Sequence, residues 1–133
     1  MRIFLTGSSG FIGFHLAKKL LAKGCNVFGI DNHNEHYDPE PKYQRLKILQ
    51  GKNFSFQETD LNNLNFIDGE FDIGINLAAQ PGVRLEKKLH YLYEKSNING
   101  FKSFCDFCVN KNIKKIIYAS SSSVYSEKQN SKF

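Results

Sequence analysis

Glycines at positions 7, 10 and 13 stand between a compact apolar run, Arg2-Ile3-Phe4-Leu5-Thr6, and an amphipathic stretch that begins at Phe11. Few features restrict a fold so strongly. The apolar run has the character of a parallel strand buried on both faces. Beyond it, Ile12, Leu16 and Leu20 recur every four positions, with Lys18, Lys19 and Lys23 outward, which predicts a helix stopped by Gly24. A strand feeding a glycine loop that opens a helix aims unpaired N–H groups and the positive end of the helix dipole at one point. That geometry holds a pyrophosphate. Gly7 allows the tight turn, Gly10 lets the backbone approach the phosphates, and Gly13 lets the helix pack close to the strand. Phe11 and Ile12 complete the first helical turn at the same place.

Asp31 follows at the end of a second strand, Asn26 to Ile30, 18 positions beyond Gly13. An acid at that spacing accepts the hydroxyls of an adenosine ribose. A carboxylate there repels a 2′-phosphate, and no arginine adjoins it in the sequence, so the residues favour NAD over NADP.

Short apolar runs alternate with amphipathic stretches along the whole chain, the pattern of β-α-β units. Asp38-Pro39 predicts a helix start, and the helix would run through Tyr43, Leu46 and Leu49 to Gly51. Phe54 to Gln57 and Phe71 to Asn76 read as strands three and four. A long helix is expected from about Arg84 to Asn110, burying Ile98, Phe101, Cys105 and Cys108, and Lys115 to Ala119 reads as strand five. With 133 residues there is room for one domain, expected at 1–125, and residues 126–133 form a polar tail expected to fray. The fold that follows is a Rossmann-like, doubly wound α/β sheet with strand order 3-2-1-4-5. Its ligand crevice lies where the order reverses, between strands one and four.

Composition narrows the classes of partner. The net charge of +5 is spread as +2 over residues 1–60 and +3 over the remainder, and no basic run exceeds two residues. That is not the concentrated footprint of a nucleic-acid binder. No apolar stretch approaches the length that spans a bilayer, and no secretory leader is recognisable. Three cysteines, an odd number, fit a reducing cytoplasm.

The glycine spacing is G-x-x-G-x-x-G, and further blocks follow in order: Gly29-Ile30-Asp31-Asn32, Asp60-Leu61, Leu77 to Arg84, Ser96 to Gly100, and Tyr118 to Tyr125. In these blocks the chain resembles the extended short-chain dehydrogenase/reductases. Within them it is similar to the NAD-dependent sugar-nucleotide epimerases, above all the UDP-glucuronate 4-epimerase type. The resemblance implies NAD as cofactor and a UDP-sugar as substrate of the full-length enzymes. It places Asp31 and Asn32 on the adenosine ribose loop, Asp60 and Leu61 at the adenine, and Leu77, Ala78 and Ala79 along the cofactor. Asn97 falls near the nicotinamide side, and Ser121 matches the hydroxyl that bonds the sugar hydroxyl being oxidised, flanked by Ser120 and Ser122. Arg84 is either a guanidinium facing an anionic substrate group or a surface arginine at a helix start.

Related dehydratases carry an acid just before the valine-tyrosine pair, where this chain has Ser122 and Ser123, so the resemblance implies epimerisation at C4. The family's base is a Tyr-x-x-x-Lys pair after the serine loop. Tyr118 and Tyr125 lack that lysine, and Tyr91 with Lys95 precedes the loop. Ser126 in place of glycine, Asn76 in place of histidine, a short Asp60–Phe71 stretch and a proline-free segment from Leu85 to His90 are further departures. The expectation is a truncated cofactor-binding half, inactive alone. A non-catalytic dinucleotide-binding or interaction module and one half of a split enzyme are the alternatives. An uncovered sheet edge and helix face would favour a homodimer or other self-association.

Three other clusters carry less. Asp31, His33, Glu35, His36 and Asp38 crowd one loop but coincide with the ribose position, so no metal is expected. Cys105-x-x-Cys108 sits at core-facing helical positions and reads as structural. His15 reads as a packed residue of the first helix.

Overall fold

A computed structural model describes residues 1–34, 38–82 and 86–125. Five strands form one parallel sheet: β1 (Arg2–Thr6), β2 (Asn26–Asp31), β3 (Phe54–Glu58), β4 (Ile73–Asn76) and β5 (Lys115–Tyr118). Their spatial order is β3-β2-β1-β4-β5, as the sequence predicts. β1 is central and pairs with β2 from Arg2↔Asn26 to Thr6↔Ile30, and with β4 from Ile3↔Ile73 to Thr6↔Asn76. The order reverses between β1 and β4, so the connections leaving those two paired strands run to opposite faces of the sheet and leave a crevice at their carboxyl ends.

Alternation along β1 feeds both faces of the sheet. Ile3 and Leu5 join Phe14 and Ala17 of α1 (Phe11–Ala22), Leu49 of α2 (Glu40–Leu49), Val27 and Ile75 in one apolar cluster. Phe4 points the other way. It stacks among Phe71, Phe104 and Phe107, with ring centroids 4.6 to 6.2 Å away, and anchors a second cluster with Ile30, Cys108 and Ile113. Asp38 Oδ1 accepts the Glu40 N–H at 2.9 Å, and α2 starts at Glu40 with Pro39 as its N-cap, one residue later than the Asp-Pro pair predicts.

Between β3 and β4 there is no helix. Residues 60–72 cross the sheet as turns that bury Leu61, Leu64 and Ile67, so a short irregular segment fills the space of a layer. The long helix expected over 84–110 is segmented: a 3₁₀ turn Lys87–Leu89, α3 (Tyr91–Tyr93), a π turn Glu94–Asn99 and α4 (Gly100–Asn110). Its buried stripe is Gly100, Phe104, Phe107 and Cys108. Ile98, six residues before Phe104, is rotated off that stripe and is 64% exposed, contrary to expectation. Phe101 and Cys105 border the stripe, half-buried.

At the far edge, every residue of β5 is exposed. Among the described strands it pairs with β4 alone, and Tyr118 lays its ring 5.2 Å from Phe101 of α4. No described helix is long and apolar enough to cross a membrane.

Candidate functional site

The turn leaving β1 is built so that only glycine fits. Gly7 has φ +68°, and a Cβ there would lie 2.8 Å from the Ala78 nitrogen. A Cβ on Gly13 would lie 2.0 Å from the Gly7 carbonyl oxygen, so helix and loop touch backbone to backbone. Gly10 N–H donates to Gly7 O at 3.1 Å, and Phe14 N–H donates to Gly10 O at 2.9 Å, opening α1. No side chain caps that helix and its first turn holds no acid, so its positive end stays uncompensated. Ser8 and Ser9, both fully buried, moor the loop instead of facing the crevice. Ser8 N–H and Oγ both donate to Ile30 O, Ser9 Oγ meets His33 Nε2 at 3.0 Å, and Arg45 donates to Ser9 O at 3.1 Å.

Asp31 ends β2 opposite this loop. It is buried, and its Oδ1 accepts the His33 N–H at 3.1 Å and Lys42 Nζ at 3.0 Å. Asn32 extends the rim by donating from Nδ2 to Asp60 Oδ2 at 3.0 Å. Several protein donors converge on that Asp60 carboxylate. Partial burial pushes its pKa up, but donations from the Asn62 backbone, Asn62 Nδ2 and Asn32, with Lys95 at 3.5 Å, outweigh burial and hold it below the ordinary value.

The third wall is the exit of β4. Thr6 Oγ1 donates to Asn76 Oδ1 at 2.6 Å and accepts the N–H groups of Leu77 and Ala78 at 3.2 and 3.1 Å. The asparagine noted as a departure thus closes a buried network between β1 and β4. Asn97 acts one step further along. Its Oδ1 accepts Gln80 N–H at 2.8 Å and its Nδ2 donates to Gln80 O at 3.2 Å, pinning the segment after Ala79.

Together these walls enclose a cleft of about 500 Å³. Gly7, Gly10, Phe11, Ile12 and Gly13 line it on one side. Asp31, Asn32, Asp60 and Leu61 line it on another, and Leu77, Ala78 and Ala79 close it. Twelve positions singled out in the sequence therefore share one cavity. Asn97, Ser120, Ser121 and Ser122 are not part of that lining. The serines follow β5, exposed, with Ser122 opening a 3₁₀ turn to Val124. Arg84 and the tail 126–133 lie outside the described residues, as do Glu35 and His36.

Sequence reasoning missed Lys42 and Arg45, which also line the cleft. No arginine adjoins Asp31 along the chain, yet α2 folds two cations, three residues apart on one face, against the ribose position. That i,i+3 spacing just after the acid loop was the available signal.

Among the described residues no group of three or more metal-ligating side chains is assembled. Cys108 is buried, and burial, with Cys105 adding to it, pushes its thiol up to about 12, so it is an inert core residue. His15 is exposed rather than packed inside, its ring edge-on to Phe11 and Phe14. Two Tyr-x-x-x-Lys spacings do occur on helical segments, Tyr43–Lys47 and Tyr91–Lys95. Tyr43 packs on His33 in α2 and Tyr91 is 60% exposed in α3.

Comparison with known proteins agrees with this geometry. Protein CapI of Staphylococcus aureus is 43% identical over 130 residues, covering 94% of this chain and 39% of that protein. UDP-glucuronate 4-epimerase 4 of Arabidopsis thaliana is 36% identical over 129 residues, covering 92% of this chain and 30% of its own length. The crystal structure of UDP-glucuronic acid 4-epimerase from Bacillus cereus, in complex with UDP-glucuronic acid and NAD, superposes with a TM-score of 0.83 at 33% identity. That match covers 96% of this chain and 42% of the other. The chain thus spans about two fifths of the length of CapI and of the Bacillus cereus enzyme, and under a third of the Arabidopsis one. Its residues 3–132 match the family profile, and the chain belongs to the NAD dependent epimerase/dehydratase family.

Proposed function

We propose that this chain is the NAD-binding portion of a nucleotide-sugar epimerase of the UDP-glucuronate type. The observation that carries this reading is one cleft with two chemistries: bare amides of the glycine turn on one wall and Asp31 on the other, at the sheet's switch point. The glycine turn passes a fit test. A Cβ at Gly7, Gly10 or Gly13 would meet backbone, so the turn, the start of α1 and the exit of β4 pack backbone to backbone, and all three glycines line the cleft with no side chain between peptide and ligand. Gly10 to Gly13 would hold the diphosphate, Asp31 with Lys42 the adenosine ribose, and Asp60 and Leu61 the adenine. When bound, NAD would supply a hydride acceptor. Leu77 and Ala78 would wall its path, held in place by Thr6.

Ser121 is the proposed sugar-facing hydroxyl, with Ser120 on the cofactor side and Ser122 and Arg84 toward the substrate. Beyond Ser121 the sequence offers Tyr125 but Gln129 four residues later, so the Tyr-x-x-x-Lys spacing does not occur there. We infer that residues 1–125 form the dinucleotide domain, that the substrate domain lies outside it, and that this chain alone does not interconvert UDP-sugars. The free thiols of Cys25, Cys105 and Cys108 fit a cytoplasmic setting. The exposed β5 edge fits self-association or a homodimer.

Calorimetry with NAD, followed by assay with UDP-glucuronate, tests the reading. Heat of binding and a raised melting temperature without sugar turnover are expected. An absence of binding by folded protein would overturn it, and turnover would overturn the claim of inactivity.

A further inference from the structure

We propose that His33 is a positioning residue for the diphosphate part of the cleft, acting through Ser9. This deepens, and rests on, the dinucleotide reading above. His33 is a buried imidazole that no step of that reading uses, and its backbone takes φ 45°, inside the left-handed region. That conformation is uncommon for a residue with a Cβ and persists where surrounding contacts fix it. Here they do. The ring stacks on Phe56 of β3 with centroids 5.4 Å apart, and Tyr43 of α2 packs edge-on at 4.6 Å.

Both ring nitrogens are engaged. Nδ1 lies 2.9 Å from Glu58 Oε2, and Nε2 lies 3.0 Å from Ser9 Oγ. An ionised carboxylate only accepts, so Nδ1 carries a proton toward Glu58, and in the neutral ring Nε2 then accepts from the Ser9 hydroxyl. The Ser9 peptide is thereby held twice, by His33 at its side chain and by Arg45 at its carbonyl. The next residue, Gly10, spends its N–H on Gly7 O and leads directly into Phe11, Ile12 and Gly13, the uncapped first turn of α1 that lines the crevice. Through its own N–H, His33 also bonds Asp31. One residue therefore ties the spacing of the glycine turn to the ribose acid across the cleft. A diphosphate bound by several amides at once senses that spacing, whereas a nucleoside does not.

The test measures affinity of the purified chain for NAD, ADP and adenosine in wild type, H33L, S9A, the double variant and H33Q, with urea unfolding of each. Loss of one hydrogen bond predicts NAD and ADP affinities lowered about three- to tenfold in H33L and S9A. Adenosine affinity should stay level, the double variant should be no weaker than either single one, and H33Q should recover most of the loss. Should H33L misfold, S9A carries the same comparison with a smaller change of volume. Wild-type affinity for NAD and ADP in the folded variants, or an equal fall for adenosine, would overturn the proposal while leaving the dinucleotide site standing. Failure of wild type itself to bind NAD would remove both.

Discussion

Lys42 Nζ stands 3.0 Å from Asp31 Oδ1, so the acid at the end of β2 is half of an ion pair before any ligand arrives. The pair is mostly buried, with the lysine side chain 18% and the carboxylate 7% exposed. Asp31 can still accept ribose hydroxyls through its second oxygen, and it is the carboxylate that Lys42 pairs with in that corner of the cleft.

Removing the charge should therefore change which dinucleotide is preferred. Asp31→Asn is expected to weaken NAD about tenfold, the cost of a charge-assisted hydrogen bond. It should also raise the affinity for NADP, because the carboxylate paired with Lys42 is gone while Lys42 and Arg45 remain to meet a 2′-phosphate. Titration calorimetry with both dinucleotides reads the ratio. Adding Lys42→Ala should cancel the gain for NADP but not the loss for NAD.

Thr6 joins three partners through one oxygen atom. Thr6→Val keeps the shape and deprives the Ala78 N–H and Asn76 Oδ1 of that hydroxyl, while Leu77 N–H keeps the Thr6 carbonyl at 3.3 Å. The expected loss is about 3 kcal/mol in urea unfolding, because buried groups left unpaired lose their solvation. Thr6→Ser, which keeps the hydroxyl, should lie within about 1 kcal/mol of wild type.

The strand order and most of the cleft were legible because they rest on local signals. Buried parallel strands show as short apolar runs, and a glycine turn before a helix has a spacing. Asp31 falls where that spacing puts it. What escaped notice depended on packing. The stripe of α4 centres on Phe104 and Phe107 rather than Ile98 because the helix is segmented by a π turn, and no periodicity in this window announces that break. Lys42 and Arg45 were overlooked beside Asp31 because a helix brings them there, and their i,i+3 spacing was the one local trace of it. The role of Asn76 was hidden likewise, since its partner Thr6 lies 70 residues away.

The Asp60 carboxylate gives the site a pH dependence. Its folded pKa is depressed, so ionised Asp60 stabilises the fold above the unfolded carboxylate value, and that contribution is lost as pH falls through the lower folded value. Asp60→Asn should consequently be less stable than wild type at pH 7. The difference between their urea midpoints should shrink as the pH is lowered toward 3. A difference that stays constant over that range would refute the assignment.

Two glycines separate steric need from backbone freedom. Gly24, after α1, has φ +76° and nothing within 4 Å of where a Cβ would stand, so Gly24→Ala should cost only the backbone strain, about 1 kcal/mol. Gly13 meets the Gly7 carbonyl, and Gly13→Ala must displace the glycine turn. Calorimetry should find NAD binding intact in the first variant and absent in the second, with both proteins folded by circular dichroism.

The last expectation concerns the open edge. Ile116, Ile117 and Tyr118 of β5 are 39%, 48% and 59% exposed, and the backbone groups of that strand face outward opposite β4. An apolar strand with a free edge is a template for pairing with another chain. Tyr118 packs toward α4, so Ile117, one residue before it, points to the opposite face of the sheet. A second copy that pairs edge to edge would set its own side chains beside Ile117 on that face, and a lysine there would oppose the pairing by removing an apolar cross-strand contact and adding like charge. Sedimentation velocity should show wild type associating as concentration rises, while Ile117→Lys stays monomeric over the same range with its NAD affinity unchanged. A wild-type chain that remains monomeric throughout would show that this edge does not recruit its own copy.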